Sequence, residues 1–210
     1  MNKIWLIIGL LLSVLPATAQ NRATKSVSKA ENLGKAVNSR YTELAPVVSP
    51  DGKTIYFTRS NHPQNNYGTE NSQDTWFSKY NEERKVWSYA RRLDNTFNRH
   101  RFNAIQSIDA TGNNAVIRGA WKKDKFVEEG FSICRREGDN WVDPQPLQIK
   151  DFEKMASGYY SGASLSFNGK ALFLYFSETK DAVKNDLYVS IIQKDGSWAK
   201  PKPLTGLNTE

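Results

Sequence analysis

The sequence predicts an all-β fold, a β-propeller of four-stranded antiparallel blades, with about three blades present as part of a propeller. The first observation behind this prediction is a β-rich phrase that ends in a glycine turn and recurs three times. Its turn glycines lie 60 and 57 residues apart, at Gly52, Gly112 and Gly169. A near-constant period of this size is typical of one supersecondary unit stacked on copies of itself.

The second observation is a tryptophan that follows each glycine turn at a similar distance. Trp87, Trp141 and Trp198 lie 54 and 57 residues apart. Each comes directly after a polar turn, which places it at the start of the fourth strand of its unit. We expect these rings to pack between neighbouring units. Four short strands per unit, repeated radially, make a propeller blade.

The strands follow from β-branched and aromatic runs separated by Gly, Pro, Asn and Asp turns. They are predicted at 46–49, 54–58, 75–80 and 87–91, at 104–108, 115–118, 131–135 and 141–146, and at 163–166, 171–177, 187–193 and 198–203. The blades then span about 40–98, 99–155 and 156–206. One helical turn is expected near 151–155.

The two ends of the chain predict export and a further repeat. Residues 1–19 read as a signal peptide, with Lys3, an apolar run and a small-residue cleavage site. Residues 20–39 read as a linker or short helix, with 24–37 as the best helix candidate. Residues 207–210 resemble the opening of another blade, which suggests a longer protein. No segment after the signal is apolar enough to cross a membrane, so the cleaved chain is not expected to be transmembrane.

The residues also carry a family resemblance. The phrase at 43–57, ELAPVVSPDGKTIYF, resembles the WD40-like (PD40, TolB-type) propeller repeat of Gram-negative envelope proteins. The stretch 158–190 is similar to the subset that places such a propeller ahead of an OmpA-like, peptidoglycan-binding domain. The resemblance covers about residues 40–210 and implies binding or scaffolding in the periplasm or at the outer membrane. It supplies no catalytic residues.

No catalytic, cofactor-binding or metal-binding residues are predicted, and we expect a protein that is not an enzyme. The chain lacks a Gly-x-Ser-x-Gly nucleophile elbow and a phosphate-binding loop. Its single cysteine, Cys134, is expected to be a buried thiol. Its two histidines, His62 and His100, are expected at the surface.

Two enzymatic alternatives remain open from the residues. A sialidase-like propeller could use an arginine cluster from Arg59 and Arg118, although Ser177 takes the matching place in the third unit and the Asp-box spacing fails. The chain could also be the propeller portion of a peptidase whose catalytic domain lies beyond residue 210. Calcium-binding loops at Asp74, Glu129 and Asp186 are a further alternative, but their positions before third strands favour ordinary turn chemistry.

The charge of the chain bears on its partner. The formal net charge is +7, and removal of Lys3 with the signal leaves +6. A basic surface attracts anionic partners. Because the chain is expected to be exported, we expect an envelope protein as partner, with an acidic glycan or an anionic envelope surface as further possibilities and no nucleic acid.

Overall fold

A computed structural model describes residues 29–94, 97–122 and 125–208. The predicted signal peptide lies outside the described residues, as do residues 20–28 of the linker. The described part of the helix candidate is not helical. Residues 29–34 are irregular, and 35–37 form a turn in which the Val37 and Asn38 amides both donate to the Gly34 carbonyl.

Three antiparallel sheets follow one another along the unit Leu33–Glu210. The first contains β1 (Thr42–Val48), β2 (Thr54–Ser60), β3 (Gln73–Asn81), β4 (Val86–Trp87) and β5 (Arg91–Arg92). The second contains β6 (Ile105–Ile108), β7 (Asn114–Lys122), β8 (Lys125–Glu137) and β9 (Asn140–Pro146). The third contains β10 (Gly162–Leu165), β11 (Ala171–Phe176), β12 (Asp186–Ile191) and β13 (Lys202–Pro203). A single helical turn, α1 (Phe152–Met155), precedes the third sheet.

Each sheet has the strand order of a propeller blade. Hydrogen bonding runs from the first strand to the fourth in chain order, and β4 and β5 are two pieces of one interrupted outer strand that both pair with β3. The inner strand β6 lies against both β1 and β10, so the inner strands of neighbouring blades are adjacent. The Leu165 amide donates to the Ser107 hydroxyl at 3.1 Å across the junction of blades 2 and 3. The predicted partial β-propeller is confirmed by this topology.

The repeated glycine turn has one hydrogen-bonding scheme. In blade 1 the Ser49 hydroxyl accepts from the Thr54 amide at 2.9 Å, and Asp51 accepts from the Lys53 amide at 2.9 Å. Blade 3 repeats this scheme, with Ser166 and Asn168 in the places of Ser49 and Asp51. The turn glycines take φ values of 73°, 73° and 66°, which favour glycine because it has no Cβ.

Two apolar clusters join the blades. One lies between blades 1 and 2 and includes Tyr56, Phe77, Ile117 and Trp141. The other lies between blades 2 and 3 and includes Val116, Phe131, Leu172, Phe176 and Trp198. Burial of such side chains is worth about 1.5–3 kcal/mol each, so stacking of the blades is a main source of stability.

The three tryptophans confirm the packing prediction in two blades of three. Trp141 lies 5.9 Å from the Tyr56 ring of the preceding blade, and Trp198 is buried in the cluster that also contains Val116 and Phe131 of blade 2. Trp87 is only half-buried. It lies 5.3 Å from Tyr80 of its own blade, because no blade precedes it among the described residues.

Candidate functional site

A cleft of about 870 Å³ lies between the outer parts of blades 2 and 3. Its apolar floor comes from Phe131, Leu147, Phe152 and Trp198. Phe152 is directed into this region by α1, where its ring lies 5.5 Å from Phe131. The cleft therefore forms only when the two blades are stacked, since its walls lie far apart in the sequence.

The rim of the cleft carries charges of both signs. Basic side chains come from Lys150, Lys200 and Lys202, and acidic ones from Glu128, Glu129, Glu153 and Asp195. A hydrogen bond with the neighbouring Glu153 carboxyl raises the pKa of Glu128, because that bond requires a proton on one of the two groups, and the like charge of Glu153 acts in the same direction. Asp195 has a lowered pKa because the Ser197 hydroxyl and amide donate to it. The cleft thus combines an apolar lining with charged groups of both signs at its edge.

The two arginines weighed for a sugar-binding cluster have separate structural surroundings. Arg59 is buried. Its Nε pairs with Glu43 at 3.0 Å, and a terminal nitrogen donates to the Val37 carbonyl at 2.9 Å. The Arg118 guanidinium lies 5.8 Å above the Phe102 ring. The guanidinium of Arg59 is therefore engaged in holding the segment before blade 1.

The three carboxylates weighed for calcium binding do not converge. Asp74 is fully buried and accepts from Arg92 Nε at 2.5 Å, from Asn103 Nδ2 at 2.9 Å and from an amide of the 61–72 loop. Asp186 is exposed, and Glu129 lies on the rim of the cleft. Within residues 29–94, 97–122 and 125–208, no group of three metal-ligating His, Cys, Asp or Glu side chains is present.

The two histidines, expected at the surface, are partly exposed and pack against aromatic rings. His62 lies between Tyr41 and Trp76, with ring centroids 4.6 and 4.5 Å away. His100 stacks on Phe126 at 4.1 Å. Partial burial lowers the pKa of both imidazoles, and nearby arginines lower it further.

The buried thiol expected at Cys134 is present. The thiol donates to the Ala115 carbonyl at 3.5 Å. Burial raises the pKa of Cys134 to about 12, so this thiol is unreactive in the folded protein.

Sequence reasoning missed the cleft itself. Its lining comes from β7 and β8 of blade 2, the 147–153 linker and residues 193–202 of blade 3, and apart from Trp198 it carries no motif. The alternation of apolar residues within 147–152 was the available signal, but it does not identify which blade those side chains contact.

The described residues thus form three consecutive blades of a β-propeller, and the comparisons with known proteins concern that architecture. No protein-family model and no curated protein sequence matches the chain. Solved propeller structures are similar to it. TolB from Acinetobacter baumannii has 17% identity and a TM-score of 0.42, covering 75% of this chain and 32% of TolB.

Peptidases also occur among these structures. The β-propeller domain of the Trilobed protease from Pyrococcus furiosus has 14% identity and a TM-score of 0.35, covering 77% of this chain and 42% of that one. Prolyl oligopeptidase B from Galerina marginata has 18% identity and a TM-score of 0.36, covering 80% and 23%. The chain thus spans less than half the length of each of these structures. Its assignment as a partial propeller depends on the strand topology given above.

Within the described residues, the structure contains no helix that is both long enough and apolar enough to span a membrane.

Proposed function

We propose that this chain is a non-catalytic binding or scaffold module of the cell envelope, exported to the periplasm or the outer membrane, whose partner is an envelope protein. The observation that carries the proposal is the cleft between blades 2 and 3. Its floor is apolar and its rim holds charges of both signs, as in a protein interface.

The chemistry of the cleft supports a polypeptide partner. Lysines and carboxylates at the rim offer hydrogen bonds and ion pairs to both amide and charged groups of an extended segment. Leu147 and Ile149 are partly exposed apolar residues of the lining and can offer apolar contacts to a partner. Phe131, Phe152 and Trp198 are already buried between the two blades. The net positive charge of the exported chain favours a partner with an acidic surface.

The export part of the proposal depends on the sequence. The apolar N-terminal run with its small-residue cleavage site and the resemblance of residues 43–57 to envelope propeller repeats both support it.

Site-specific crosslinking in the natural host tests the binding surface. A photo-crosslinking amino acid is placed at Lys200, on the rim of the cleft, and in a matched control at Phe167, an exposed turn residue outside it. A crosslinked protein obtained from position 200 and not from position 167 supports the proposal. Equal crosslinking from both positions, or none from 200, contradicts it.

The non-catalytic part has its own test. The purified chain is assayed on chromogenic glycosides and peptides, which also addresses the sialidase-like and peptidase alternatives. No turnover above the buffer rate is expected. Turnover that is retained through purification would show an enzyme.

A further inference from the structure

The third blade has one buried face and one open face. Along β11, Leu172, Leu174 and Phe176 are buried against blade 2, and the alternating residues point the other way. Register pairs on that other side are Phe173 with Val189 and Tyr175 with Leu187. We call this surface the open face, and it consists of Phe173, Tyr175, Leu187, Val189, Ile191 and, beside them, Leu207.

The matching positions of blade 2 are covered by blade 3. Val116 stands 57 residues before Phe173 and is 0% exposed, whereas Phe173 is 44% exposed. Phe131 accepts a hydrogen bond from the Leu147 amide just as Leu187 accepts one from the Leu204 amide, both at 2.8 Å. Phe131 is 2% exposed and Leu187 is 41% exposed. The same apolar positions are thus used as a blade-binding surface in blade 2 and lie uncovered in blade 3.

After blade 1 and after blade 3, an asparagine side chain makes the same two hydrogen bonds with the backbone of the third strand. We call this arrangement the asparagine clamp. Asn98 accepts from the Thr75 amide at 2.7 Å and donates to the Thr75 carbonyl at 3.0 Å. Asn208 makes the same two bonds with Leu187, at 2.7 and 3.0 Å. After Asn98 the chain enters β6, the inner strand of the next blade. Asn208 stands in the corresponding place at the end of blade 3.

In blade 1, two residues at the start of the third strand form hydrogen bonds with the linker that leads to blade 2. The equivalent residues of blade 3 have no such linker contact among the described residues. Gln73 exchanges hydrogen bonds with Arg101 and Asn103 of the linker, and the neighbouring Asp74 accepts from the Asn103 side chain. The corresponding residues two and one before Leu187 are Asn185 and Asp186. Asp186 is exposed, and the buried Oδ1 of Asn185 has no hydrogen-bond partner among the described residues.

A second copy of this chain does not fit the open face by head-to-tail stacking. Such a copy would have to present the outer face of blade 1, which includes Ile55, Phe57 and Trp76. That face is already packed against Val37, and the Ala90 amide donates to the Ala36 carbonyl at 2.8 Å. The two ends of the stack therefore differ. The outer face of blade 1 is covered by residues 36–37, whereas the open face of blade 3 is uncovered among the described residues.

We infer that the open face seats a further four-stranded blade that continues from Asn208 on the same polypeptide. Its inner strand lies against β10, as β10 lies against β6. Its outer strand brings a tryptophan over the open face, as Trp198 packs against blade 2. Its linker supplies donors to Asn185 Oδ1 and to Asp186.

Thiol labelling of the protein isolated from its own envelope fraction tests this inference. Leu187→Cys places a thiol on the open face, and Phe167→Cys serves as the matched exposed control in a turn away from it. The buried Cys134 reports folding, since it reacts only after denaturation. We expect Leu187→Cys to react with a small maleimide more than about tenfold more slowly than Phe167→Cys. The intact mass should exceed that of residues 20–210, and truncation of the gene after residue 208 should restore fast labelling.

Equal labelling of the two variants in the natural product would show that nothing covers the open face and would overturn the inference. Slow labelling with an intact mass equal to residues 20–210 would overturn it as well, because the cover would then come from a separate chain. Neither result depends on crosslinking at Lys200, so this inference and the proposed function can fail independently.

Discussion

At the residue scale, buried polar side chains fix the junction between the first two blades. Asp74, Asn98 and Asn103 are all buried. Hydrogen bonds join Asp74 to Asn103 across the junction and to Arg92, and they join Asn98 to Thr75. A buried polar group costs free energy unless its partners are in place. These three residues therefore hold the linker in one path while contributing specificity to the fold.

Replacement of Asp74 by alanine should strongly destabilise the protein. The change removes the buried carboxylate that accepts hydrogen bonds from Arg92 Nε and Asn103 Nδ2, and loss of one partner of a buried pair costs about 3–5 kcal/mol. Urea unfolding followed by tryptophan fluorescence measures the effect.

The matched control for this variant is Asp139→Ala, which removes the exposed ion pair with Lys79. An exposed pair contributes about 0–1 kcal/mol. If the two variants unfold at the same urea concentration, the buried network is not stabilising the junction.

Cys134 should make stability fall with pH in the alkaline range. Its folded pKa of about 12 lies above the ordinary value of 9.0, so the folded protein holds the proton more tightly than the unfolded chain does. The resulting stabilisation is complete below pH 9 and is lost as the pH rises from 9 towards 12. Tyr188, whose pKa is also raised to about 12, acts in the same direction.

The variant Cys134→Ser isolates the contribution of the thiol. A serine hydroxyl does not ionise in this range, so the free energy of unfolding of the variant should decline less steeply above pH 9. Chemical denaturation at pH 8, 9.5 and 10.5 compares the two slopes. Parallel declines would show that the thiol does not titrate on unfolding.

At the element scale, the outer strands hold the blades together through their tryptophans. Trp141 belongs to β9 but packs against Tyr56 of the preceding blade, and Trp198 pairs with the 147–150 linker. The outer part of a blade is thus stabilised by contacts with the adjacent blade as well as by pairing within its own sheet.

Truncation of Trp141 should be more costly than truncation of Trp87. Trp141→Ala removes a fully buried ring between blades and should destabilise by about 3–5 kcal/mol. Trp87→Ala removes a half-buried ring and should cost less than half as much. Urea midpoints compare the two, with Trp141→Phe as a milder variant if the alanine variant does not fold. A larger effect at Trp87 would contradict the role assigned to the inter-blade ring.

At the scale of the whole molecule, the stack of blades should not be uniformly stable. Blade 2 is covered on both faces, whereas blade 3 is covered on one. In repeat proteins stability is approximately the sum of unit terms and nearest-neighbour interface terms.

Hydrogen exchange of a purified chain that ends at residue 208, in which the open face is uncovered, should therefore be graded along the stack. Amides of β7 and β8 should exchange most slowly, and amides of β11 and β12 distinctly faster. Mass spectrometry of peptic fragments provides the measurement. Equal protection in blades 2 and 3 would indicate that the chain opens as one cooperative unit or that the open face is covered.

The local pattern of the sequence was enough for the fold. The glycine turns required φ > 0, the strand composition fixed the elements between them, and the repeat spacing indicated one unit in three copies. These signals are local or periodic, so they can be recognised in one amino-acid sequence without knowledge of its tertiary structure. The interrupted outer strand of blade 1 was not foreseen, because pairing of β4 and β5 with β3 is decided by the register of the sheet.

The surfaces of the molecule were decided by tertiary structure. Sequence reasoning considered Arg59 and Asp74 as candidate ligands because their residue types suit such roles. The fold instead buried both among internal partners. It also formed the cleft from residues about 70 positions apart and left the apolar side of β11 open, although the matching side of β7 is covered. The repeat pattern of this sequence determines what each blade is made of, while burial depends on which blade lies beside it, and only the stacked structure specifies that neighbour.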